Sequence, residues 1–226
     1  MAAQVESAHL GELVYFPLWA KGLQVSIIAE ATALATGMKT TGTMVNDWPA
    51  LKESGVCPFS QLPIFKTPEG LVLGQSVAIA NYLGRKGDLH GTNDTEFAIS
   101  QMCMCEGEDI FGKLGKLELA CFKSPEDRAS VAEERNEFFA TTLPMHLANL
   151  EKLCSQDKGF TSSGETCGEL YLWGMLHQAS RASNDADASV FEGYPKLHAW
   201  FNRLHTTHPA VLKVTTGESA WKVGCV

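Results

Sequence analysis

The chain lacks any long apolar run: no hydrophobic stretch approaches the ~20 residues that a membrane-spanning helix needs. It also lacks basic clusters beyond Arg85-Lys86, and its 26 acidic against 18 basic residues give a net charge of −8. Because such a surface repels phosphate backbones, we expect no nucleic-acid partner. Because no long apolar run is present, we expect no membrane partner. The first ten residues have no basic start followed by an apolar stretch, so we expect a cytoplasmic protein.

The seven cysteines follow no disulfide-framework spacing, and no Cys-x-x-Cys motif is present. A dithiol redox site of that type is therefore excluded. Cys103 and Cys105 form a close pair without further ligands nearby in sequence, so we interpret them as reduced thiols on a helix. Because His198, His205 and His208 also lack a carboxylate or cysteine at ligand spacing, we expect no metal.

The first third of the sequence alternates between strand-like and helix-like patterns. Apolar spacing predicts helices over 19–35 and 76–85, and Asp47 is a candidate N-cap for a short helix between them. The Pro-Glu-Gly turn at 68–70 joins the last two strands as a hairpin. The predicted strands cover residues 12–16, 40–45, 62–66 and 71–73. This order predicts a small four-stranded mixed sheet with helices against it.

In the rest of the chain strand patterns nearly vanish. Ser124-Pro125 predicts the start of a helix that is interrupted or kinked at Pro144. Thr166-Cys-Gly-Glu169 has the pattern of a capping box, in which a hydroxyl and a carboxylate satisfy free backbone donors. Other predicted helices cover 93–120 and begin at Pro195 and Pro209. We therefore predict an α/β domain over residues 1–88 and an all-helical domain over 93–226.

Two candidate binding features lie at the two ends of the predicted hairpin. Pro63 lacks a backbone donor and suits the start of a strand. A cis Leu62–Pro63 bond would turn the Leu62 backbone toward open space, where an extended ligand can pair with it. Gln75-Ser76 lies at a helix N-terminus, which binds carboxylates through backbone N–H groups and the positive helix end. Together these features predict a site for a short peptide with a free carboxylate.

Six segments of the chain resemble the glutathione transferase family, especially its sigma class. They occur in family order at family spacing and cover nearly the whole chain. The resemblance implies a thioredoxin-like N-terminal α/β domain of order βαβαββα, followed by an all-α C-terminal domain, in agreement with the layout above. The segments are LVYF (13–16), DWPALK (47–52), QLPIF (61–65), QSVAIANYL (75–83), PMHLANLEKL (144–153) and TCGELYLW (166–173).

The resemblance implies that Tyr15 is the catalytic tyrosine, whose hydroxyl stabilises the glutathione thiolate. Lowering a thiol pKa by two units requires ~2.7 kcal/mol, and a hydrogen bond to a charged acceptor supplies ~1.5–3 kcal/mol. One tyrosine hydroxyl is therefore sufficient in magnitude. Taken by its pattern alone, Tyr15 is equally a residue of an amphipathic strand. The full set implied to bind glutathione is Tyr15, Lys21, Trp48, Lys52, Gln61, Leu62, Pro63, Gln75 and Ser76.

Each part of glutathione has its own implied contacts. Gln75 and Ser76 match the pair that grips the γ-glutamyl end, and Leu62 offers its backbone to the cysteinyl part. Trp48 and Lys52 match the residues at the glycyl end, with the lysine as a point charge for the carboxylate. For these last two, a packed tryptophan and a solvated lysine remain the alternative.

The segment after Tyr15 departs from the family pattern. Lys21 stands where an arginine normally supports the thiolate, and a lysine lacks the planar fork of that side chain. Trp19 is bulky where the same segment usually carries an arginine. Both changes put catalytic strength in doubt more than glutathione binding.

The resemblance also implies a site for the acceptor substrate, for which core packing is the alternative interpretation. The candidate residues for this site are Phe16, Trp19, Met104, Glu108, Phe111 and Gly112. Glu106 and Asp109 lie near the position where the family places an acidic residue that reaches the partner subunit's glutathione, or they belong to a solvated helix face.

We expect a homodimeric glutathione transferase that conjugates glutathione, its cosubstrate, to small hydrophobic electrophiles, with peroxidase or isomerase activity also open. Two alternatives stay open: a catalytically weak or inactive glutathione-binding relative of the crystallin kind, and a dedicated glutathione-dependent prostaglandin isomerase.

Overall fold

The structure, a computed structural model, describes residues 8–183 and 189–221, without the side chains of 120–123. The described residues form two compact units. The first contains the chain up to His90 together with the residues from Thr207 onward, and the second is Gly91–Thr206. Within the described ranges, no helix is both long and apolar enough to span a membrane.

The first unit is built on the predicted four-stranded mixed sheet, in the order β2-β1-β3-β4. β1 runs parallel to β2 and antiparallel to β3, and β3 pairs antiparallel with β4. β1 begins earlier than predicted and ends at Tyr15, so Phe16 lies just outside it. The strands are β1 (His9–Tyr15), β2 (Lys39–Met44), β3 (Ile64–Lys66) and β4 (Val72–Gly74).

Three helices of this unit follow the strands as predicted: α1 (Ala20–Thr36), α2 (Trp48–Glu53) and α3 (Ser76–Lys86). α1 packs against α3. Asp47 caps α2 by accepting a hydrogen bond from the Ala50 backbone, which confirms the predicted N-cap. Successive side chains of a strand face opposite sides. Val14 accordingly packs with the cluster that contains Trp48, whereas the Tyr15 ring lies against Gly22 of α1.

The second unit is helical. Its helices are α4 (Asp94–Lys123), α5 (Pro125–Ser130), α6 (Ala132–Glu137), α7 (Leu143–Leu153), α8 (Cys167–Ala182) and α9 (Pro195–Thr207). Ser124 caps α5, and Thr166 and Glu169 form the predicted capping box at the start of α8. α4 packs along α8 and also contacts α6 and α7.

The predicted interruption before Cys154 is present but lies upstream of Pro144. The helix first breaks at Val131, which separates α5 from α6. It then widens into a π-helical turn at Phe138–Thr142. Pro144 falls in the first turn of α7, directly after the π-helical turn. The predicted kink position is therefore wrong by a few residues.

The last helix, α10 (Pro209–Thr215), packs on α1 in the first unit. Lys213 forms an ion pair with the buried carboxylate of Glu30 on α1, with Nζ and Oε2 2.6 Å apart. The other oxygen of Glu30 accepts a hydrogen bond from the Ala220 backbone. The described residues from 207 to 221 thus group with the α/β unit and not with the helical domain, to which they were assigned by sequence.

Candidate active site

Tyr15 is the last residue of β1 and only 5% exposed. Its hydroxyl oxygen accepts a hydrogen bond from the backbone N–H of Lys21, at an N–O distance of 3.1 Å. β1 and α1 are joined by a short connection, which brings the first turn of α1 back over the ring. The strand end therefore sets the ring position, and the helix start sets the hydroxyl position.

Burial raises the pKa of the Tyr15 hydroxyl to about 12, and the hydrogen bond from Lys21 partly opposes this rise. The phenol therefore stays protonated at neutral pH. Since its oxygen already accepts a bond from the backbone, the O–H proton is the group that the tyrosine can donate. A buried O–H of this kind suits an anionic acceptor such as a thiolate.

A chain of ring contacts connects Tyr15 with the start of α2. The rings of Tyr15 and Phe16 lie edge to face with centroids 5.5 Å apart. The Phe16 ring meets the Trp48 ring in the same way at 5.7 Å. These contacts thus connect Tyr15 and Phe16, at the end of β1, with Trp48, which is distant from them in sequence.

Trp48 also shares an apolar cluster with Leu62. Both side chains pack, partly buried, against the fully buried Val14, Cys57 and Ile64. Because Val14 precedes Tyr15 and Ile64 begins β3, this cluster fixes Leu62 relative to the end of β1. The structure therefore brings together predicted site residues from three separate segments.

The Leu62–Pro63 bond is cis, as predicted. Gln75 and Gln61 are linked by a side-chain hydrogen bond of 3.3 Å. Ser76 is buried at the first position of α3, after Gln75 with its positive φ of 68° and without a side-chain cap from Gln75. The hydrogen bond between Gln61 and Gln75 thus connects the segment of the cis-proline with the N-terminal end of α3.

Lys21 and Lys52, the two lysines predicted to bind glutathione, have different positions in the structure. Lys21 contributes its backbone N–H to Tyr15, a contact that the sequence analysis missed because side-chain type gives no information on backbone donors. Lys52 is exposed on α2, one turn after Trp48. Its ammonium group is the exposed positive charge of this helix, which also carries Glu53.

The acceptor-site candidates separate into two groups. Phe16, Trp19, Glu108 and Phe111 are half-buried and Gly112 is exposed, so each presents some surface to a ligand. Met104 is fully buried, at 0% exposure, and belongs to the core, so its prediction as a pocket residue is wrong. The physical reason is that α4 turns this side chain inward, which apolar spacing alone cannot distinguish from a pocket wall.

Acidic residues of α4 have neighbours within the helical unit. The Tyr171 hydroxyl donates a hydrogen bond to Glu108. Glu106 Oε1 lies 2.7 Å from His146 Nδ1 on α7, so this carboxylate is engaged within its own chain, while Asp109 is exposed.

The histidines of α9 take part in ring stacking. His198 stacks on Phe191, and His205 stacks on Trp173. Over the part of the chain that the structure describes, no three His, Cys, Asp or Glu side chains gather as a metal site would require.

Trp221 is a neighbour of Tyr15 that the sequence analysis did not identify. It is 3% exposed, and its ring centroid lies 6.0 Å from that of Tyr15. Nothing in the local sequence places residue 221 beside residue 15, because the contact depends on how α10 docks. Cys225, which we expect from its place near the C-terminus to be an exposed thiol, lies outside the described residues.

Comparison with known proteins shows sequence similarity to one family. Residues 130–203 match the family described as "Glutathione S-transferase, C-terminal domain". The chain is 30% identical over 193 residues to "Probable glutathione S-transferase 6" of Caenorhabditis elegans, covering 83% of this chain and 87% of that protein. It is 26% identical over 166 residues to "Hematopoietic prostaglandin D synthase" of Gallus gallus, covering 73% and 75% respectively.

The fold is also that of a solved structure. A glutathione S-transferase crystal structure from Ascaris lumbricoides matches with a TM-score of 0.73 at 24% identity, over 92% of this chain and 96% of that one. The chain therefore has the predicted fold, a thioredoxin-like α/β part followed by a helical part.

Proposed function

Because the chain belongs to the glutathione S-transferase family, we propose that it conjugates glutathione to small hydrophobic electrophiles, with Tyr15 stabilising the thiolate. One observation carries this proposal. The Tyr15 hydroxyl is buried and accepts a backbone hydrogen bond, so its own proton is free of that bond and can be donated to sulfur.

The reaction begins with loss of the glutathione thiol proton to solvent. A free thiol has a pKa near 8.5, so only a few per cent is thiolate at neutral pH. A hydrogen bond from Tyr15 stabilises the anion and increases that fraction. The thiolate then gives an electron pair to the electrophilic carbon and forms a C–S bond. With a chloronitrobenzene acceptor, chloride departs with the electron pair of its own bond.

The remaining predicted residues hold the tripeptide in this proposal. Ser76 and the N-terminal end of α3 bind the γ-glutamyl carboxylate, because helix N-termini favour anions. The Leu62 backbone pairs with the cysteinyl part, and Trp48 contacts the glycyl part. Lys52 supplies a positive charge for the glycyl carboxylate. The linked aromatic and apolar contacts of Tyr15, Trp48 and Leu62 support this grouping.

The proposed acceptor is neutral and hydrophobic. Phe16 and Trp19 offer half-buried aromatic surface next to Tyr15 in sequence. Isomerase and peroxidase activities are to be measured separately.

The direct experiment is turnover of a chloronitrobenzene by wild type and Tyr15→Phe at neutral pH. Loss of a hydrogen bond to a charged acceptor, about 1.5–3 kcal/mol, predicts a fall in kcat/KM of roughly 10- to 150-fold. Tyr82→Phe, which removes the hydroxyl of a half-buried tyrosine on α3, is the matched control and leaves the rate unchanged. Equal rates for wild type and Tyr15→Phe would remove Tyr15 from the mechanism.

A second candidate is a glutathione-binding protein with little turnover. Lys21 and Trp19, which replace the arginines of the family pattern, favour it. Calorimetric titration with glutathione beside the turnover assay separates the two. Tight binding with no turnover in wild type supports this second candidate, whereas binding with turnover supports the first.

The homodimer and the cytoplasmic location expected from the resemblance, and the assignment to a sigma-like class, belong to the same proposal. Light scattering in solution tests the dimer, and we expect it to give twice the mass of one chain. A mass of one chain at micromolar protein concentration contradicts it.

A further inference from the structure

The segment after α10 packs onto the residues that position Tyr15, the tyrosine proposed to stabilise the glutathione thiolate. Glu30, 1% exposed on α1, is bound by Lys213 of α10 and by the Ala220 backbone N–H. The hydroxyl of Ser219 donates to the carbonyl of Trp221 at 2.6 Å. These contacts fix the backbone on both sides of Ala220 and so determine where the Trp221 ring lies.

Two glycines make room for that ring. A Cβ added to Gly22 would lie 2.3 Å from Cη2 of Trp221 and 2.6 Å from Cδ1 of Tyr15. A Cβ on Gly42 of β2 would lie 2.7 Å from the Trp221 Cβ. Real Cβ atoms do not come so close to other heavy atoms. Trp221 and Tyr15 therefore meet over the same glycine of α1.

Gly22 directly follows Lys21, which forms a hydrogen bond with the Tyr15 hydroxyl. Lys21 donates its backbone N–H to the phenol, and Gly22 is the next residue on α1. A shift of the first turn of α1 or of the Tyr15 ring by a fraction of an ångström changes this bond. The indole also covers ring surface that water would otherwise reach, since Tyr15 is 5% and Trp221 3% exposed.

From these contacts we propose that Trp221 is a positioning residue for Tyr15: it fixes the phenol ring against Gly22 and excludes water from it, so that the hydroxyl stays aligned for the thiolate. The proposal rests on the proposed function for its catalytic meaning. It adds to that function a dependence of the active tyrosine on the last helix and the segment that follows.

The first measurement is independent of turnover. Ultraviolet difference titration follows ionisation of Tyr15, isolated by subtracting the same titration of the Tyr15→Phe background. Burial raises the Tyr15 pKa to about 12 from 10.0, so opening the site in Trp221→Ala is expected to lower this pKa toward 10.0. Trp221→Phe keeps a smaller ring and gives an intermediate pKa. It also serves as the test variant if Trp221→Ala does not fold.

The second measurement is steady-state kinetics. Misaligning a catalytic group by about 1 Å costs up to 10²-fold, so Trp221→Ala is expected to lower kcat about tenfold. The KM for glutathione is expected to stay within about twofold, because the residues proposed to bind the tripeptide are untouched. Trp200→Phe, the matched loss of buried ring on α9 in the helical unit, is expected to leave the Tyr15 titration and kcat unchanged.

The outcomes separate the two proposals. If Tyr15→Phe is slow but both Trp221 variants match wild type in the titration and in kcat, the positioning role is overturned and the proposed function stands. If Tyr15→Phe equals wild type in rate, the proposed function fails, and the titration alone then decides whether Trp221 controls the environment of Tyr15. A change in Trp200→Phe equal to that in Trp221→Phe would show a general loss of stability and overturn the proposal.

Discussion

At the scale of single residues, the site depends on a backbone donor that side-chain patterns do not reveal. Lys21 is a candidate by sequence for its side-chain charge, whereas the structure shows its backbone N–H bonded to the Tyr15 hydroxyl. Any residue other than proline supplies that N–H. The replacement of an arginine by Lys21 therefore leaves this contact intact and affects only what the side chain does.

Glu96 provides a residue-scale prediction that concerns stability. Its carboxylate accepts hydrogen bonds from the hydroxyl and backbone groups of Ser163, Thr92 and Ser162, which hold its pKa well below the ordinary value of 4.5. A carboxyl group whose pKa is lowered by folding stabilises the protein at pH values above its pKa in the unfolded chain. This contribution to stability is lost as the pH falls toward its pKa in the folded protein. Glu96→Gln is therefore expected to lower the melting temperature at pH 7, and the difference from wild type narrows below pH 4.5.

Thermal melts of Glu96→Gln and wild type across this pH range measure the effect. Glu133→Gln, which changes an exposed acid in the first turn of α6, is the control and gives a small shift. A difference for Glu96→Gln that stays constant from neutral to acidic pH contradicts the assignment of the lowered pKa.

At the scale of elements, local rules predicted most of the fold. The caps at Asp47, Ser124 and Thr166 are confirmed, because a capping side chain acts on donors only two or three residues away. The hairpin and its turn are confirmed for the same reason. The break before α7 was misplaced because the π-helical turn at 138–142 carries no sequence signal like that of proline.

The capping box at the start of α8 provides the element-scale prediction. Glu169 is 0% exposed and also accepts a hydrogen bond from the Phe160 backbone, so this cap connects a loop to a buried helix. Thr166→Ala removes one cap bond and is expected to destabilise the protein by about 1–2 kcal/mol. Ser124→Ala removes a cap from α5, which has no buried residue, and is expected to cost less than about 1 kcal/mol.

Urea unfolding of the two variants gives this comparison, with the slope of the transition as a check that the same surface is exposed. Equal losses in the free energy of unfolding for Thr166→Ala and Ser124→Ala would contradict the expectation that the buried cap stabilises the protein more.

At the scale of the whole molecule, contacts between distant segments are the features that the sequence did not predict. Met104 and Trp221 show the two kinds of failure. Apolar helix residues line either a pocket or a core, and tertiary structure decides which. The return of α10 to α1 in the α/β unit depends on docking contacts such as that between Glu30 and Lys213, whose partners are far apart in the chain.

The grouping of α10 with the α/β unit leads to a prediction about Val211. This side chain is 0% exposed, and Leu212 beside it is 36% exposed. Val211→Asp buries an unpaired charge and is expected to cost about 3–5 kcal/mol, whereas Leu212→Asp stays within about 0.5 kcal/mol. Hydrogen exchange in Val211→Asp is expected to lose protection in α1 before α8. Equal loss in both helices, or loss in α8 first, contradicts the grouping.

The central claim is that Tyr15 donates a hydrogen bond to the glutathione sulfur anion. The most direct test is the pKa of the bound glutathione thiol, titrated by thiolate absorbance in wild type and Tyr15→Phe with glutathione saturating. The account predicts a wild-type pKa below that of the free thiol, near 8.5, and a value in Tyr15→Phe that rises by about 1–2 units. The same pKa for bound glutathione in both proteins would contradict it.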